Sequence, residues 1–465
     1  MMDLDRLVAA LGAVEVVGRA PVEVRELAYD TRAVMPGSLF FCVPGQRADG
    51  HDFAPEAVER GAVALVVERR LGLPVPQAVV ADARASMAVA ADEFFGRPTQ
   101  ELDVVGVTGT SGKTTTSFLL FAILAAAGRR PGLLGTVEAR VGGERRGVVR
   151  TTPEAIDLQR LFREMLDAGD RSCAMEASSH ASQLHRLDRV RFAALVFTNL
   201  SLDHLDFHGD MESYFQAKRR LFLAGHPPAA VNVGDEYGRR LAAELPGTLT
   251  FGFADDADVR PDALEGIDFK LRGRFNVENA LAALAAARLL GIPDDAIGRG
   301  IASVRGVPGR FEAVEEGQPF TVIVDYAHKP DALANVLRAA RELATGGRVI
   351  CVVGAGGDRD RGKRPVMGRI ASELADVAIV TSDNPRSEEP QAIIDAVVAG
   401  AVGEVEVEPD RAAAIARAVE LAREGDVVLI AGKGAEQGQQ LADRTMPFDD
   451  REAAREALRA LGARA

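Results

Sequence analysis

Residues 103–124, DVVGVTGTSGKTTTSFLLFAIL, constrain this chain more than any other stretch. The apolar run Val104, Val105 and Val107 reads as a buried parallel strand. A glycine-rich turn follows, Gly109, Thr110, Ser111, Gly112, Lys113, Thr114 and Thr115. Apolar residues then recur at helical spacing: Phe118, Leu119, Phe121, Ala122 and Leu124. Strand, glycine loop and helix start in that order make an anion site. The glycines let backbone N–H groups turn inward onto phosphate oxygens, and the helix N-terminus adds its partial positive charge. Lys113 is placed to reach the outer phosphates of ATP, and the Thr114 hydroxyl to bind Mg²⁺. The pattern departs from G-x-x-x-x-G-K-[ST], because the position five before Gly112 is Val107 and the glycines stand at 106 and 109. Its setting between strand and helix favours an ATP site over a structural turn.

At 465 residues the chain has room for about three domains of roughly 100–200 residues. Hydrophobic residues make up 47%, enough for sizeable cores. The net charge of −13 argues against general nucleic-acid binding. Cys42, Cys173 and Cys351 are far apart, odd in number and set in apolar surroundings, which reads as buried small hydrophobes. The amphipathic N-terminus MMDLDRLVAALG lacks the basic start and long apolar run of a signal peptide. No uninterrupted apolar stretch reaches about 18 residues. A cytoplasmic protein without membrane insertion is expected.

Three α/β regions are expected. Residues 1–98 form a small one, with a strand at Leu39 to Val43, a polar loop at Pro44 to His51, a helix at Phe53 to Arg60 and a strand at Ala62 to Val67. Taken alone, that loop is an ordinary connection or a binding loop. Arg97-Pro98-Thr99 reads as a linker, the proline breaking the helix before it. Residues 99–307 hold the phosphate loop and the longest α/β alternation. Two polar clusters follow apolar strands there: Glu176, Ser178, Ser179 and His180, and then Asp203, His204, Asp206, His208 and Asp210. Ligands of open α/β sheets gather at such strand ends. Lys218, beside Arg219 and Arg220, reads from chemistry alone as a surface lysine. The helix over Gly273 to Gly291 opens with Asn276 and Asn279, three apart on one face. Residues 308–465 alternate strand-like runs with helices, implying a second doubly wound parallel sheet.

Ten segments in order, among them VGVTGTSGKTTT, EASSH, FTNLSLDHLDFHGD, GRFNVENALAA, VDYAHKPDAL, TSDNPRSEEP and AGKGAEQ, resemble the Mur ligases over essentially the whole chain, and within them the tripeptide-synthetase (MurE) type. The resemblance implies three domains: uridine-binding, a central P-loop-type parallel-sheet ATPase, and a Rossmann-like C-terminal domain. It implies ATP-dependent addition of meso-diaminopimelate to the D-Glu γ-carboxylate of UDP-MurNAc-L-Ala-D-Glu, in cytoplasmic peptidoglycan precursor synthesis, by a monomer.

Residue roles follow from the resemblance. Thr31, Gln46, Arg47, Ala48, Thr151, Thr152, Ser178 and Arg186 match contacts to the UDP-sugar substrate. Gly109 to Thr115, Asn276, Asn279, Arg310 and Asp325 match ATP contacts. Thr114, Glu176, His204 and Lys218, the last as a CO₂-derived carbamate, match the surroundings of two Mg²⁺ ions. A carbamate on a long stem is an anionic oxygen ligand of the kind hard Mg²⁺ prefers, whereas an ammonium repels the ion. Arg359, Asp383, Asn384, Pro385, Arg386, Gly432 and Glu436 match contacts to the diamino acid. Arg386 can grip a distal carboxylate bidentately, and lysine, lacking it, would bring a cation toward Arg386. His328 is a candidate for proton transfer from the amine. Two departures stand out: Ala435 replaces a histidine common in the family, and Leu184 stands where some relatives carry glutamine. The alternatives are the same chemistry with L-lysine or L-ornithine, a different step of the same family, a folylpolyglutamate synthetase, or a nucleotide-binding regulator without catalysis.

Overall fold

The computed structural model describes residues 1–18, 21–45 and 48–463. Gln46 and Arg47, expected near the uracil, lie outside the described residues.

The central sheet has eight strands, ordered Glu144–Arg146, Ala139–Val141, Pro131–Leu134, Ser172–Glu176, Asp103–Thr108, Phe192–Phe197, Ala229–Asn232 and Leu249–Phe251. The last six run parallel; the first two form an antiparallel edge hairpin. Asp103–Thr108 lies mid-sheet and is buried on both faces, which is why its apolar run is continuous rather than alternating. Glu176 pairs with Val107, and Phe197 with Thr108, so three strands end level with the glycine loop. Helix Lys113–Ala126 packs on this sheet beside helix Arg274–Leu289, which also rests on it, and is covered by helix Asp294–Ser303. Buried alanines at 280, 282, 283 and 285–287 let the helix Arg274–Leu289 approach closely.

The N-terminal sheet has five strands, with Ser38–Phe41 and Ala62–Val67 inside it. The C-terminal sheet has six, ordered Glu312–Ala313, Thr321–Asp325, Val427–Ala431, Val349–Val353, Val377–Val380 and Glu406–Val407, all parallel except the first. The α/β reading of all three regions holds. All three cysteines are free and buried. Among the described residues, no helix is long and apolar enough to cross a membrane.

Two expectations need correction. The helix Ala83–Phe94 closes at Phe95, and Gly96 (φ 74°) turns the chain before Pro98 is reached. Pro98 and Thr99 are then buried, and Thr99 Oγ1 accepts the Arg191 N–H at 3.1 Å, so this segment is a packed seam. Lys218 is not a surface lysine: it is 1% exposed, on the inner face of helix Met211–Leu223.

Candidate active site

One cavity of about 720 Å³ opens at the C-terminal ends of the central strands. Residues 109–115 form its floor, and Arg310, Asp325, Tyr326, His328, Lys329 and Arg359 close it from the C-terminal side. Two glycines are required there. A Cβ on Gly109 (φ 149°) would fall 1.9 Å from Thr198 Oγ1, and one on Gly112 (φ 86°) 2.3 Å from Asn279 Oδ1. The loop is held open by its neighbour Asn199, whose backbone oxygen accepts the Thr110 N–H and whose Oδ1 accepts the Ser111 N–H, both at 2.9 Å. Lys113 Nζ folds back to donate to the Gly109 and Thr110 carbonyls at 2.9 Å. Desolvation, with Lys329 nearby, lowers its ammonium to about 8.

Glu176, 1% exposed, ends its strand against this loop. Its Oε1 accepts the Thr114 hydroxyl at 2.9 Å and the Thr136 N–H at 2.8 Å. Thr152 Oγ1 donates to the Glu176 backbone oxygen at 2.7 Å and lies 3.2 Å from Ser178 Oγ, while Thr151 meets Thr136 at 3.1 Å. Arg186 donates to the Thr152 carbonyl at 3.1 Å and pairs with buried Glu154 at 2.8 Å. Its Nε is buried and without a partner among the described residues.

Lys218 Nζ donates to the Gly109 carbonyl at 2.8 Å and sits 4.7 Å above the Tyr214 ring. Burial first, then the charges of Lys113 and Lys329, hold this ammonium well below the usual lysine range. A buried amine in that setting favours its neutral form, the form that can capture CO₂. His204 (φ 54°) meets Asp203 at 2.9 Å and His180 edge to face at 4.7 Å. Burial lowers its imidazolium below the usual histidine range, which favours the neutral ring. Asp203 also pairs with Lys329, joining the central sheet to the C-terminal one. Among the described residues, no three His, Cys, Asp or Glu side chains converge as a metal cage. The oxygen donors of Thr114 and Glu176 fit Mg²⁺ instead, which takes few protein ligands and keeps water and phosphate oxygens.

At the far end of the cavity, Asn279 faces in beside Phe275 and Phe251. Asn276 stands behind it, donating to the Arg272 carbonyl at 2.8 Å and accepting from Asn279 at 3.1 Å. Arg310 reaches across to the Thr114 hydroxyl at 3.2 Å and stacks on Tyr326. Asp325 accepts the Phe311 and Ala327 N–H groups, each at 2.7 Å, and burial raises its carboxyl to about 6. His328 Nδ1 donates to the Tyr326 carbonyl at 2.8 Å, which fixes the tautomer, and burial with Lys329 and Lys363 lowers it to about 3.

The diamino-acid candidates form a second cluster. Lys433, 0% exposed, donates to Asn384 Oδ1 at 2.8 Å and to Glu436 at 3.1 Å. Asn384 Nδ2 donates to the same Glu436 oxygen at 2.9 Å. A Cβ on Gly432 (φ 128°) would meet Asp383 at 2.6 Å, so the two pack directly. Pro385 follows, buried, and Arg386 (φ 54°) donates to the Gly357 carbonyl at 2.6 Å. Of this set only Arg359 lines the main cavity. Thr31 is the first residue of the short helix Thr31–Ala33, which Asp30 caps, and Ala48 lies in the loop after strand Ser38–Phe41, both away from that cavity.

Sequence reasoning missed Asp203 as the partner of Lys329, Thr136 as a support of Glu176, and Tyr214 beneath Lys218. Lys329 was legible only as part of the string VDYAHKPDAL. The others make contacts between segments distant in the chain, which no local pattern announces.

Three family models match: the Mur ligase family catalytic domain over residues 23–94, the Mur ligase middle domain over 107–287, and the Mur ligase glutamate ligase domain over 309–434. UDP-N-acetylmuramoyl-L-alanyl-D-glutamate--2,6-diaminopimelate ligase of Solibacter usitatus (strain Ellin6076) is 48% identical over 95% of each chain. The protein of the same name from Streptomyces coelicolor is 46% identical over 98% of this chain and 96% of its own. A solved structure of such a ligase superposes with a TM-score of 0.68 at 29% identity over 99% of both chains. MurF ligase of Thermotoga maritima in complex with ADP shares the fold, with a TM-score of 0.62 at 21% identity over 95% of this chain and 99% of its own.

Proposed function

The chain belongs to the Mur ligase family, and from that premise we propose that it joins meso-2,6-diaminopimelate to the D-Glu γ-carboxylate of UDP-MurNAc-L-Ala-D-Glu at the expense of ATP. The observation that carries this reading is the convergence of Lys113, Glu176, His204, Lys218 and Arg310, from two separate sheets, on one cavity floored by a glycine loop.

In this reading the γ-carboxylate attacks the γ-phosphorus of ATP, giving an acyl phosphate and ADP. The amine of diaminopimelate then attacks the acyl carbon through a tetrahedral intermediate, and phosphate leaves. Lys113 unfolds from its own loop carbonyls onto the phosphates, and Arg310, already at Thr114, neutralises charge from the opposite side. Thr114, Glu176, His204 and carbamylated Lys218 would hold Mg²⁺, which when bound neutralises developing phosphate charge. His328, neutral with Nδ1–H committed to the Tyr326 carbonyl, offers Nε2 as a hydrogen-bond acceptor that orients the N–H of the attacking amine and assists its proton transfer. Asn279, with Asn276 behind it, takes the base, and Asp325 the ribose side. Thr151, Thr152, Ser178 and Arg186 hold the sugar, diphosphate and peptide, with Thr31, Gln46, Arg47 and Ala48 at the uridine end. Arg359, Asp383, Asn384, Pro385, Arg386, Gly432 and Glu436 select the diamino acid. We infer domains dividing near residues 98 and 307, and a cytoplasmic monomer.

Phosphate release with ATP, Mg²⁺ and UDP-MurNAc-L-Ala-D-Glu is to be measured with meso-diaminopimelate, L-lysine and L-ornithine in parallel. Turnover is expected with diaminopimelate alone, and turnover with lysine would remove the role given to Arg386. Lys113→Ala should abolish ADP formation, and Arg386→Ala should lose diaminopimelate use while keeping ATP binding. After incubation with ¹³C-bicarbonate, a carbamate resonance should be present in the parent protein and absent in Lys218→Arg.

A further inference from the structure

We propose that Gln440 is a positioning residue for acceptor recognition, aiming the Arg386 guanidinium at the distal carboxylate of the diamino acid. This rests on the diaminopimelate reading above and adds a residue outside every motif that led to it.

Arg386 follows Pro385 in a left-handed conformation (φ 54°), which a non-glycine residue keeps only when its surroundings hold it. The holding comes from the hairpin strand Gly438–Gln440, paired with Thr445–Pro447. Gln439 Nε2 donates to the Asp383 carbonyl at 2.7 Å. The Gln440 N–H donates to Asn384 Oδ1 at 2.9 Å, and the Gln440 carbonyl accepts the Arg386 N–H at 3.0 Å. Three of the four residues 383–386 are therefore pinned by two consecutive glutamines.

The side chain of Gln440 adds a fourth contact. Its Oε1 accepts the Arg386 Nε–H at 2.9 Å, while NH1 donates to the Gly357 carbonyl at 2.6 Å. A guanidinium has five N–H bonds. With Nε–H and one NH1 hydrogen engaged, the Nε–NH2 edge is closed to a two-pronged grip, and the donors left for a carboxylate are both NH2 hydrogens and the second one on NH1. Gln440 thus blocks the side-on approach through Nε and fixes the plane in which the remaining donors are presented. Being neutral, it does this without cancelling the charge of Arg386.

Gln440 is exposed, so its substitution should leave folding intact. Steady-state kinetics of the full-length protein should be compared for the parent, Gln440→Met and Gln440→Glu. Gln440→Met keeps the backbone clamp and loses Oε1. It should raise KM for meso-diaminopimelate about tenfold, the scale of one hydrogen bond to a charged group, with kcat and the KM for ATP within about twofold. Gln440→Glu keeps an acceptor for Nε and places an anion beside the guanidinium. It should also raise that KM, more at low salt than at high, because the added repulsion is screened. An unchanged KM for diaminopimelate in Gln440→Met, or a parallel rise in the KM for ATP, would overturn the proposal. Absence of turnover in the parent protein with diaminopimelate would instead overturn the reading beneath it.

Discussion

Lys113 and Lys218 are both amines in an environment that disfavours their charge. They share the Gly109 carbonyl as an acceptor. The charge of Lys113 lowers Lys218 further, toward the neutral amine that the proposed carbamate requires. The Lys113 value of about 8 gives a sign to the pH dependence of nucleotide binding. ATP phosphates favour the charged form and raise this value in the complex, so binding takes up a proton wherever free Lys113 is neutral. ATP affinity should therefore hold below pH 8 and fall above it, by up to about tenfold per pH unit. Calorimetry in two buffers of different ionisation enthalpy at pH 8.5 should show net proton uptake, absent in Lys113→Met. The surface-lysine reading of Lys218 failed because its two arginine neighbours point outward while the helix turns Lys218 onto the loop. A string of three basic residues does not say which one faces in.

At the level of elements, helix Lys113–Ala126, which begins at the glycine loop, is pressed closely by helix Asp294–Ser303 behind it. Gly300, in helix Asp294–Ser303, marks the tightest approach: a Cβ there would lie 2.4 Å from Ile123 Cα. Gly300→Val should force the helices apart and cost about 1–3 kcal/mol in urea unfolding. Gly72→Ala, where nothing lies within 4 Å, should stay within about 0.5 kcal/mol. Since the displaced helix begins at Lys113, Gly300→Val should also weaken ATP binding. Elements with strong local patterns were legible in the sequence: the strand Ala62–Val67 falls on its expected bounds. The edge hairpin Ala139–Val141 with Glu144–Arg146 was not, because its outer strand is wholly exposed and carries no apolar alternation.

The whole molecule brings two sheets to one cavity. Asp203 with Lys329, and Thr114 with Arg310, are contacts between residues about one to two hundred positions apart. A ligand bound across that seam stabilises both sides together. ATP with Mg²⁺ at a hundredfold excess over its Kd should add about 2.7 kcal/mol to the stability of the native state. Thermal melting should show the upward shift in the parent protein and none in Lys113→Ala. The sequence alone determined the α/β class, the phosphate loop and the family, because these rest on short-range patterns: apolar periodicity, glycine placement and motif order. Tertiary structure decided which basic residue of the Lys218 trio is buried, that Asn276 backs Asn279 instead of lining the cavity, and that Gln440 grips Arg386. Burial and side-chain partnership are set by chain segments that meet only after folding, and the cost of an unpaired charge or donor is paid in that environment, not in the local string.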